Sequence, residues 1–313
     1  LAYIACLFHD VGKPDSLIVK FKPERGNYNA FHGHELVSAR MFEDYYMSNQ
    51  HIFDDVLPIE DLYSVIWLIE NHLPYDAIKV DKKMDYLKTA AVTMLGDHWK
   101  AFPYMLQADA FGRISDDSEE KRKKTLEFIE YLEIANVNPE RHVEQNAPVV
   151  ALLIGASGSG KSTCSKMLID QGFAHYSFDD IRIKLAIENG VPVNDDPKKM
   201  YRDAFEYCDK HRSQFGHRAD VEYIKLIKDY RNIVIDNTNT TRKNRAKFIE
   251  EAKKRGYAVV CFMFPIDKST LLSRMSERTD KYVPEDAILR QYNSISVPWV
   301  GVEVDDMYLM EPN

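Results

Sequence analysis

Gly155-Ala156-Ser157-Gly158-Ser159-Gly160-Lys161-Ser162-Thr163 follows directly on the apolar run Val149-Val150-Ala151-Leu152-Leu153-Ile154. A buried strand running into this spacing of glycines, lysine and hydroxyls is the context of a phosphate-binding loop. Glycines at 155, 158 and 160 let successive backbone N–H groups curl around phosphate oxygens, and the helix that follows aims its positive end at them. Lys161 reaches the β- and γ-phosphates and the Ser162 hydroxyl ligates Mg²⁺, with Ser159 and Thr163 completing the loop. With average glycine usage near 7%, the pattern arises by chance in about one in a hundred chains of this size. The plainer alternative, a glycine-rich turn between strand and helix, leaves the lysine and the two hydroxyls after it unexplained. The expected ligand is a nucleoside triphosphate, ATP, with Mg²⁺.

Around this loop the pattern is that of a parallel α/β sheet, with strands predicted at 149–154, 174–178, 233–236 and 257–262 and helices between them. After the second strand comes Phe178-Asp179-Asp180-Ile181-Arg182. An acid at the carboxyl end of a strand beside the phosphate loop is placed to accept a proton from an attacking hydroxyl, although an Asp before an apolar-periodic stretch also suits a helix cap. The third strand ends on Asp236-Asn237-Thr238-Asn239. Arg274 and Arg278 lie four residues apart on one helix face, as phosphoryl-transfer arginines or as surface ion-pair partners.

Upstream, residues 1–143 read as helical throughout, with helices predicted at 2–10, 35–46, 59–72, 81–99, 101–113 and 119–135. The stretch 62–69 is apolar around most of its circumference and calls for burial. Polar residues interrupt these helices at His9-Asp10-Val11-Gly12-Lys13, His32-Gly33-His34-Glu35, Glu70-Asn71-His72 and Asp109-Ala110-Phe111-Gly112-Arg113. Imidazole and carboxylate together form the usual mixed ligand set for a divalent transition metal, whereas any one of these histidines alone reads as a capping or surface residue. His51, His98, His142, His175, His211 and His217 have no such neighbours in sequence and read as ordinary.

The chain has 313 residues, room for two domains, with 45% hydrophobic residues and a formal charge of −8. That balance excludes a general attraction to nucleic acid, so any such contact is local and short-range. No run approaches a membrane span. Four scattered cysteines without a CxxC pair fit a reducing, cytoplasmic setting. Leu1–Phe8 reads as the middle of a buried helix rather than a leader, so the sequence is expected to begin partway into its first domain. The polar, proline-containing stretch 138–148 reads as a linker between domains at 1–143 and 147–313.

The first domain resembles the HD phosphohydrolase superfamily, through His9-Asp10-Val11-Gly12-Lys13, the His-Gly-His-Glu box, the later helical histidine and the closing Asp109. The resemblance implies an all-α domain that activates water against a phosphoester with a transition metal such as Mn²⁺, Ni²⁺ or Co²⁺. It implies His9, Asp10, His34, His72 and Asp109 as ligands, with His32 as the alternative to His34, and Lys13 and Arg113 as phosphate-facing cations. The family also carries a histidine on a preceding helix, which this sequence lacks. Residues 148–298 resemble the kinase module of T4-type polynucleotide kinases. That resemblance implies Asp179 as general base, Arg182 on the acceptor phosphate, Arg278 on the transferring phosphoryl group and Arg274 near the donor nucleotide. Asp236 and Asn239, with Arg242 and Arg245 behind them, would face the acceptor. The acid of that box is shifted by one residue from the family's Ser-Asp-Thr-Asn.

Together the halves resemble HD-type polynucleotide kinase–phosphatases. These add phosphate to a 5′-hydroxyl and clear a 3′-phosphate or 2′,3′-cyclic phosphate, so the implied partners are nucleic-acid ends, RNA ahead of DNA, and a ligase that consumes the products. The competing expectations are a nucleoside or metabolite kinase joined to an HD nucleotidase, and a regulatory module using ATP as a switch. Segment 195–217, rich in Lys, Tyr and Phe, fits none of these motifs.

Overall fold

A computed structural model describes residues 1–24, 26–73, 81–112, 118–137 and 143–310. Arg113 and part of the 138–148 stretch lie outside the described residues. The chain divides into two compact units, 1–141 with Ser296–Asp305, and 142–295 with 306–313. The contiguous second domain read from the sequence therefore departs from the structure at Ser296–Asp305.

The first unit contains α1 (Ala2–Phe8), a hairpin of β1 (Leu17–Lys22) and β2 (Gly26–Phe31), α2 (His34–Ser48), α3 (Gln50–Phe53), α4 (Leu62–Glu70), α5 (Asp81–Leu95), α6 (Ala101–Gly112) and α7 (Ser118–Ile134). It is not all-α. Leu17-Ile18-Val19 is too β-branched to favour a helix, and Gly26, at φ +69°, takes the left-handed conformation that begins the returning strand. The core is α4, whose residues from Leu62 to Ile69 are all buried. Along its edge runs a buried ionic network: Arg40 bonds Glu43 and Glu70, the latter at 3.1 Å, and Tyr63 donates to Glu43 at 2.9 Å. The other Glu70 oxygen accepts from the Val297 N–H at 2.9 Å, and Trp299 meets Trp67 edge-on. Backbone and ring contacts thus hold Ser296–Asp305 in this unit, with Val297, Val300 and Val304 buried.

The second unit contains β3 (Val149–Ile154), α8 (Lys161–Asp170), β4 (Ala174–Tyr176), α9 (Phe178–Glu188), α10 (Pro197–Lys210), α11 (Arg212–Lys228), β5 (Ile233–Ile235), α12 (Arg242–Lys254), β6 (Ala258–Met263), α13 (Lys268–Glu277), α14 (Glu285–Asn293) and β7 (Asp306–Leu309). Its five strands are all parallel, in the order β4-β5-β3-β6-β7. Strand β3 lies at the centre, and Val150 through Ile154 are fully buried, which is why its sequence is an unbroken apolar run. Strand order reverses at β3, so the loops leaving β3, β4 and β5 converge on one carboxyl edge where a ligand crevice forms.

Two candidate centres, one in each unit

In the first unit the site begins with packing. Gly12 lies so close to α2 that a Cβ there would sit 2.6 Å from Ser38 N and 2.9 Å from His34 O, and its own N–H donates to Ser38 Oγ at 3.0 Å. This contact seats the His9-Asp10 pair against the start of α2, where His34 is the first residue. Each of three imidazoles then donates its Nδ1–H to the carbonyl three residues earlier: His9 to Cys6 at 2.8 Å, His34 to Phe31 at 2.7 Å and His72 to Ile69 at 2.7 Å. In a neutral ring this fixes the tautomer, because a carbonyl can only accept, and the Nε2 of each ring is turned inward.

Those nitrogens meet around Asp10. His34 Nε2 lies 3.2 Å and His72 Nε2 3.8 Å from its Oδ1, His9 Nε2 lies 3.3 Å from its Oδ2, and Asp109 Oδ1 is 3.2 Å from His9 Nε2. His9, Asp10 and His72 offer ligand atoms within 4.8 Å of one another. The structure brings together all five residues that the resemblance implied as ligands, and Lys13 joins them through an ion pair with Asp10. His32 is elsewhere, its ring against Lys20 on the hairpin.

Two observations show that the cluster fits a cation. The Nε2 atoms of His34 and His72 face each other at 3.2 Å, and Asp10 Oδ1 is buried without a hydrogen-bond partner. Burial pushes the His72 imidazole down to about 4, so it presents a lone pair near neutrality. Burial also works against a proton on His9, but Asp10 and Asp109 outweigh it and raise the ring to about 9. A proton there does what a metal ion would do, since both neutralise the converging carboxylates.

In the second unit a cavity of about 750 Å³ opens at the carboxyl edge of the sheet. Gly158 and Gly160 take φ of +95° and +102°, which only glycine adopts without strain, and they turn the chain into α8. The loop is pinned from outside by Gly155 N–H to Thr238 O at 3.1 Å and Ser157 N–H to Gln291 Oε1 at 2.9 Å. Because α8 starts at Lys161, its first N–H groups have no partner within the helix and point out of its end. Ser159 Oγ is buried without a hydrogen-bond partner, an acceptor or donor waiting for a ligand oxygen. Lys161 is buried with Nζ 2.6 Å from Ala156 O, and burial pulls its ammonium down to about 7. Ser162 and Thr163 line the same cavity.

Opposite the loop stands Asp179 in the first turn of α9. Ser177 caps that helix through the Asp180 N–H, so neither aspartate is the cap. Asp179 is held by Arg182 at 2.7 Å, by Lys281 at 2.9 Å and by the Tyr201 hydroxyl, whose pKa burial and this carboxylate raise to about 12. Lys281 and Tyr201 escaped the sequence reading. Lys281 lies in the irregular segment after α13, and Tyr201 in the unassigned segment. Arg274 and Arg278 line the cavity, with Arg278 in a bidentate pair to Asp280 at 2.5 and 2.8 Å.

Three expectations change. Asn239 lines the cavity, but its buried side-chain amide donates to the carbonyls of Leu153 at 2.8 Å, Ile235 at 3.2 Å and Asn237 at 3.3 Å, so it braces the loop instead of reaching an acceptor. Arg245 is fully buried, donating to Asn239 O and Thr240 O, and supports the same turn. His175 is not an ordinary histidine: its ring lies 3.2 Å from Asp180 and 3.6 Å from Asp236, and those two carboxylates raise it to about 9. Asp236 itself shares a wall with Ser162.

Residues 150–298 match a family model, AAA_33, described as an AAA domain. Over 145 residues the chain is 28% identical to a protein of Autographa californica nuclear polyhedrosis virus named as a bifunctional polynucleotide kinase/RNA ligase, covering 45% of this chain and 20% of that protein. It is 27% identical over 173 residues to a mouse protein named as a gluconokinase, covering 51% of this chain and 91% of that one. Among solved structures, a gluconokinase from Sinorhizobium meliloti 1021 aligns at 20% identity and a TM-score of 0.34, over 54% of this chain and 85% of that one. The chain thus spans about a fifth of the viral relative's length. Among the described residues no helix is long and apolar enough to cross a membrane. The second unit is an α/β P-loop kinase-like domain with a parallel sheet, related to both polynucleotide kinase and gluconokinase.

Proposed function

We propose that the chain heals the two ends of a broken nucleic-acid strand. The second unit transfers the γ-phosphate of ATP to a 5′-hydroxyl, and the first removes a 3′-phosphate or opens and removes a 2′,3′-cyclic phosphate. One observation carries this reading: a kinase cavity and a three-histidine, two-carboxylate cluster occur in one chain. On a single hydroxyl the two chemistries would cancel. On opposite ends of a break they yield the 5′-phosphate and 3′-hydroxyl that a ligase joins. RNA is favoured over DNA, because a 2′,3′-cyclic phosphate requires a 2′-hydroxyl.

In the kinase cavity Asp179 accepts the proton of the attacking hydroxyl. Arg182 and Lys281 orient that carboxylate through one oxygen each, leaving lone pairs for the incoming proton. Arg182 also meets the acceptor's phosphate. Lys161 and Arg278 neutralise charge on the transferring phosphoryl group, Arg278 exchanging Asp280 for it, and Arg274 lies toward the donor nucleotide. Ser162 and Asp236 present the hydroxyl and carboxylate oxygens suited to Mg²⁺ accompanying ATP. In the other unit His9, Asp10, His34, His72 and Asp109 would hold a divalent transition ion such as Mn²⁺, Ni²⁺ or Co²⁺. Such an ion supplies Lewis acidity toward phosphoryl oxygens and makes water easier to deprotonate. Lys13, paired with Asp10 and partly exposed, faces the substrate phosphate.

The coverage of nearly the whole mouse relative favours a second reading, a small-molecule (nucleoside or metabolite) kinase beside an HD nucleotidase. An oligonucleotide carrying a 5′-hydroxyl and a 3′-phosphate, incubated with ATP, Mg²⁺ and Mn²⁺, separates the two. End healing converts both ends. Faster label transfer to gluconate or free nucleosides supports the second reading, and an oligonucleotide left unchanged at both ends overturns the first.

The buried lysine gives an independent check on ATP binding. At pH 8 an amine with a pKa of about 7 is mostly neutral, and a triphosphate beside it restores the charge. ATP binding is therefore expected to take up close to one proton, read as a dependence of calorimetric enthalpy on buffer ionisation enthalpy. The dependence should vanish in Lys161→Met; its persistence there would assign the proton to another group.

A further inference from the structure

Segment 195–217 is the part of the sequence that the motifs leave unexplained, and it forms α10 and the start of α11. One face of α10 is structural: Met200, Ala204 and Cys208, spaced four apart, are buried, the first two packing with Ala186 of α9. The adjacent face carries Tyr201 and Phe205, again four apart, and both line the kinase cavity. Tyr201 holds Asp179. Phe205 has no equivalent structural task, since 47% of its surface remains exposed.

Phe205 lies beside the charged wall of that cavity. The Arg182 guanidinium, 2.7 Å from Asp179, stands 5.4 Å from the Phe205 ring centroid and 4.9 Å from that of Phe215. An acid for the hydroxyl, a cation for a phosphate and a half-exposed aromatic ring therefore adjoin one another. Single exposed aromatics on a convex surface need no explanation. In a cavity that carries Lys161, Arg182, Arg274, Arg278 and Lys281 on its walls, an exposed ring beside Arg182 is useful to a ligand bearing both an anion and a flat apolar face. A sugar acid has no such face, whereas a nucleobase does.

We propose that Phe205 is the stacking platform for the 5′-terminal base of the acceptor strand, making α10 the element that selects a polynucleotide end over a small polyol. This rests on the end-kinase reading above. Arg182, already seated on aromatic rings, sets the edge of the platform, and stacking on it tolerates any base.

The test uses the full chain and two acceptors, a 5′-hydroxyl oligonucleotide with a normal terminal base and the same strand with an abasic terminal residue. Phe205→Ala is expected to raise KM for the normal acceptor about 10-fold, with kcat and the KM for ATP unchanged. Phe205→Trp should keep the wild-type KM. The abasic strand should show a raised KM in wild type and no further rise in Phe205→Ala. A terminal 2-aminopurine should lose fluorescence on binding wild type and keep it with Phe205→Ala, a readout independent of turnover. Matching melting temperatures establish that the variants are folded, as the exposure of the ring leads one to expect. If wild type phosphorylates 5′ ends but Phe205→Ala treats both acceptors as wild type does, the platform is wrong and the end kinase stands. If wild type phosphorylates no 5′ end, the underlying reading fails with it.

Discussion

Lys161→Ala is expected to lower γ-phosphate transfer by roughly 10³-fold, the upper range for losing one preorganised electrostatic contact to the transition state. The 3′ reaction should be untouched. The variant should also fold at least as well as wild type, because the buried amine donates, among the described residues, to the Ala156 carbonyl alone. The sign follows from linkage. The folded pKa is about 7 against a reference of 10.5, so between those values the unfolded chain binds more protons and wild-type stability rises with pH. The penalty of burying Lys161 is complete below about pH 7 and gone above 10.5. The melting-temperature advantage of Lys161→Ala should accordingly shrink as pH climbs through that window. A variant that loses both activities, or that melts well below wild type at pH 7, would falsify the assignment of Lys161 as a phosphate-binding group with no structural duty.

Asp10→Ala is expected to do the reverse. Its carboxylate lies at the centre of the cluster, within 4 Å of His9, His34 and His72 and paired with Lys13. Burial opposes its charge, but the adjoining His34, His9 and Lys13 outweigh it and hold the carboxyl well below the usual carboxylate range. Removing it leaves three imidazoles and an ammonium facing one another without their shared anion. Metal affinity should fall by more than the 10- to 100-fold, roughly, that losing a mere outer-shell partner costs, and 3′-phosphate release should fall with it. Metal content by mass spectrometry after dialysis and release of inorganic phosphate are the two measurements, with 5′ transfer as the internal control. Full metal occupancy in the variant would remove Asp10 from the ligand set.

The sequence carried the features that depend on contiguous residues. The P-loop, its strand β3 and the fully buried α4 are local patterns, as are the first-unit helices, whose ends shift by a few residues. The parallel α/β sheet was legible from the same alternation. What escaped depends on residues far apart. His175 reads as ordinary because its two carboxylates come from the next helix and from the residue after β5. Arg245 and Asn239 read as acceptor contacts because their composition suits one, while the fold spends their donors on carbonyls. Strand β7, at the sheet edge, buries none of its four residues and so offers no apolar run to read. The hairpin was hidden among helices, since β1 is exposed along its whole length and shows no alternation.

The path of Ser296–Asp305 has a consequence for synthesis. The first unit emerges from the ribosome before the second, yet the Val297 N–H that meets Glu70 and the residues Val297, Val300 and Val304 that fill its interior come much later in the chain. At about 5–20 residues per second, the roughly 150 intervening residues impose a wait on the order of ten seconds. During that interval a buried carboxylate and an apolar slot stand open. The fifth strand of the sheet waits longer still, because it follows the detour. A nascent chain therefore carries two incomplete cores until residues 296–309 are made. The exposure of this young chain to chaperones or proteases is then set by the clock of translation as much as by the stability of either unit.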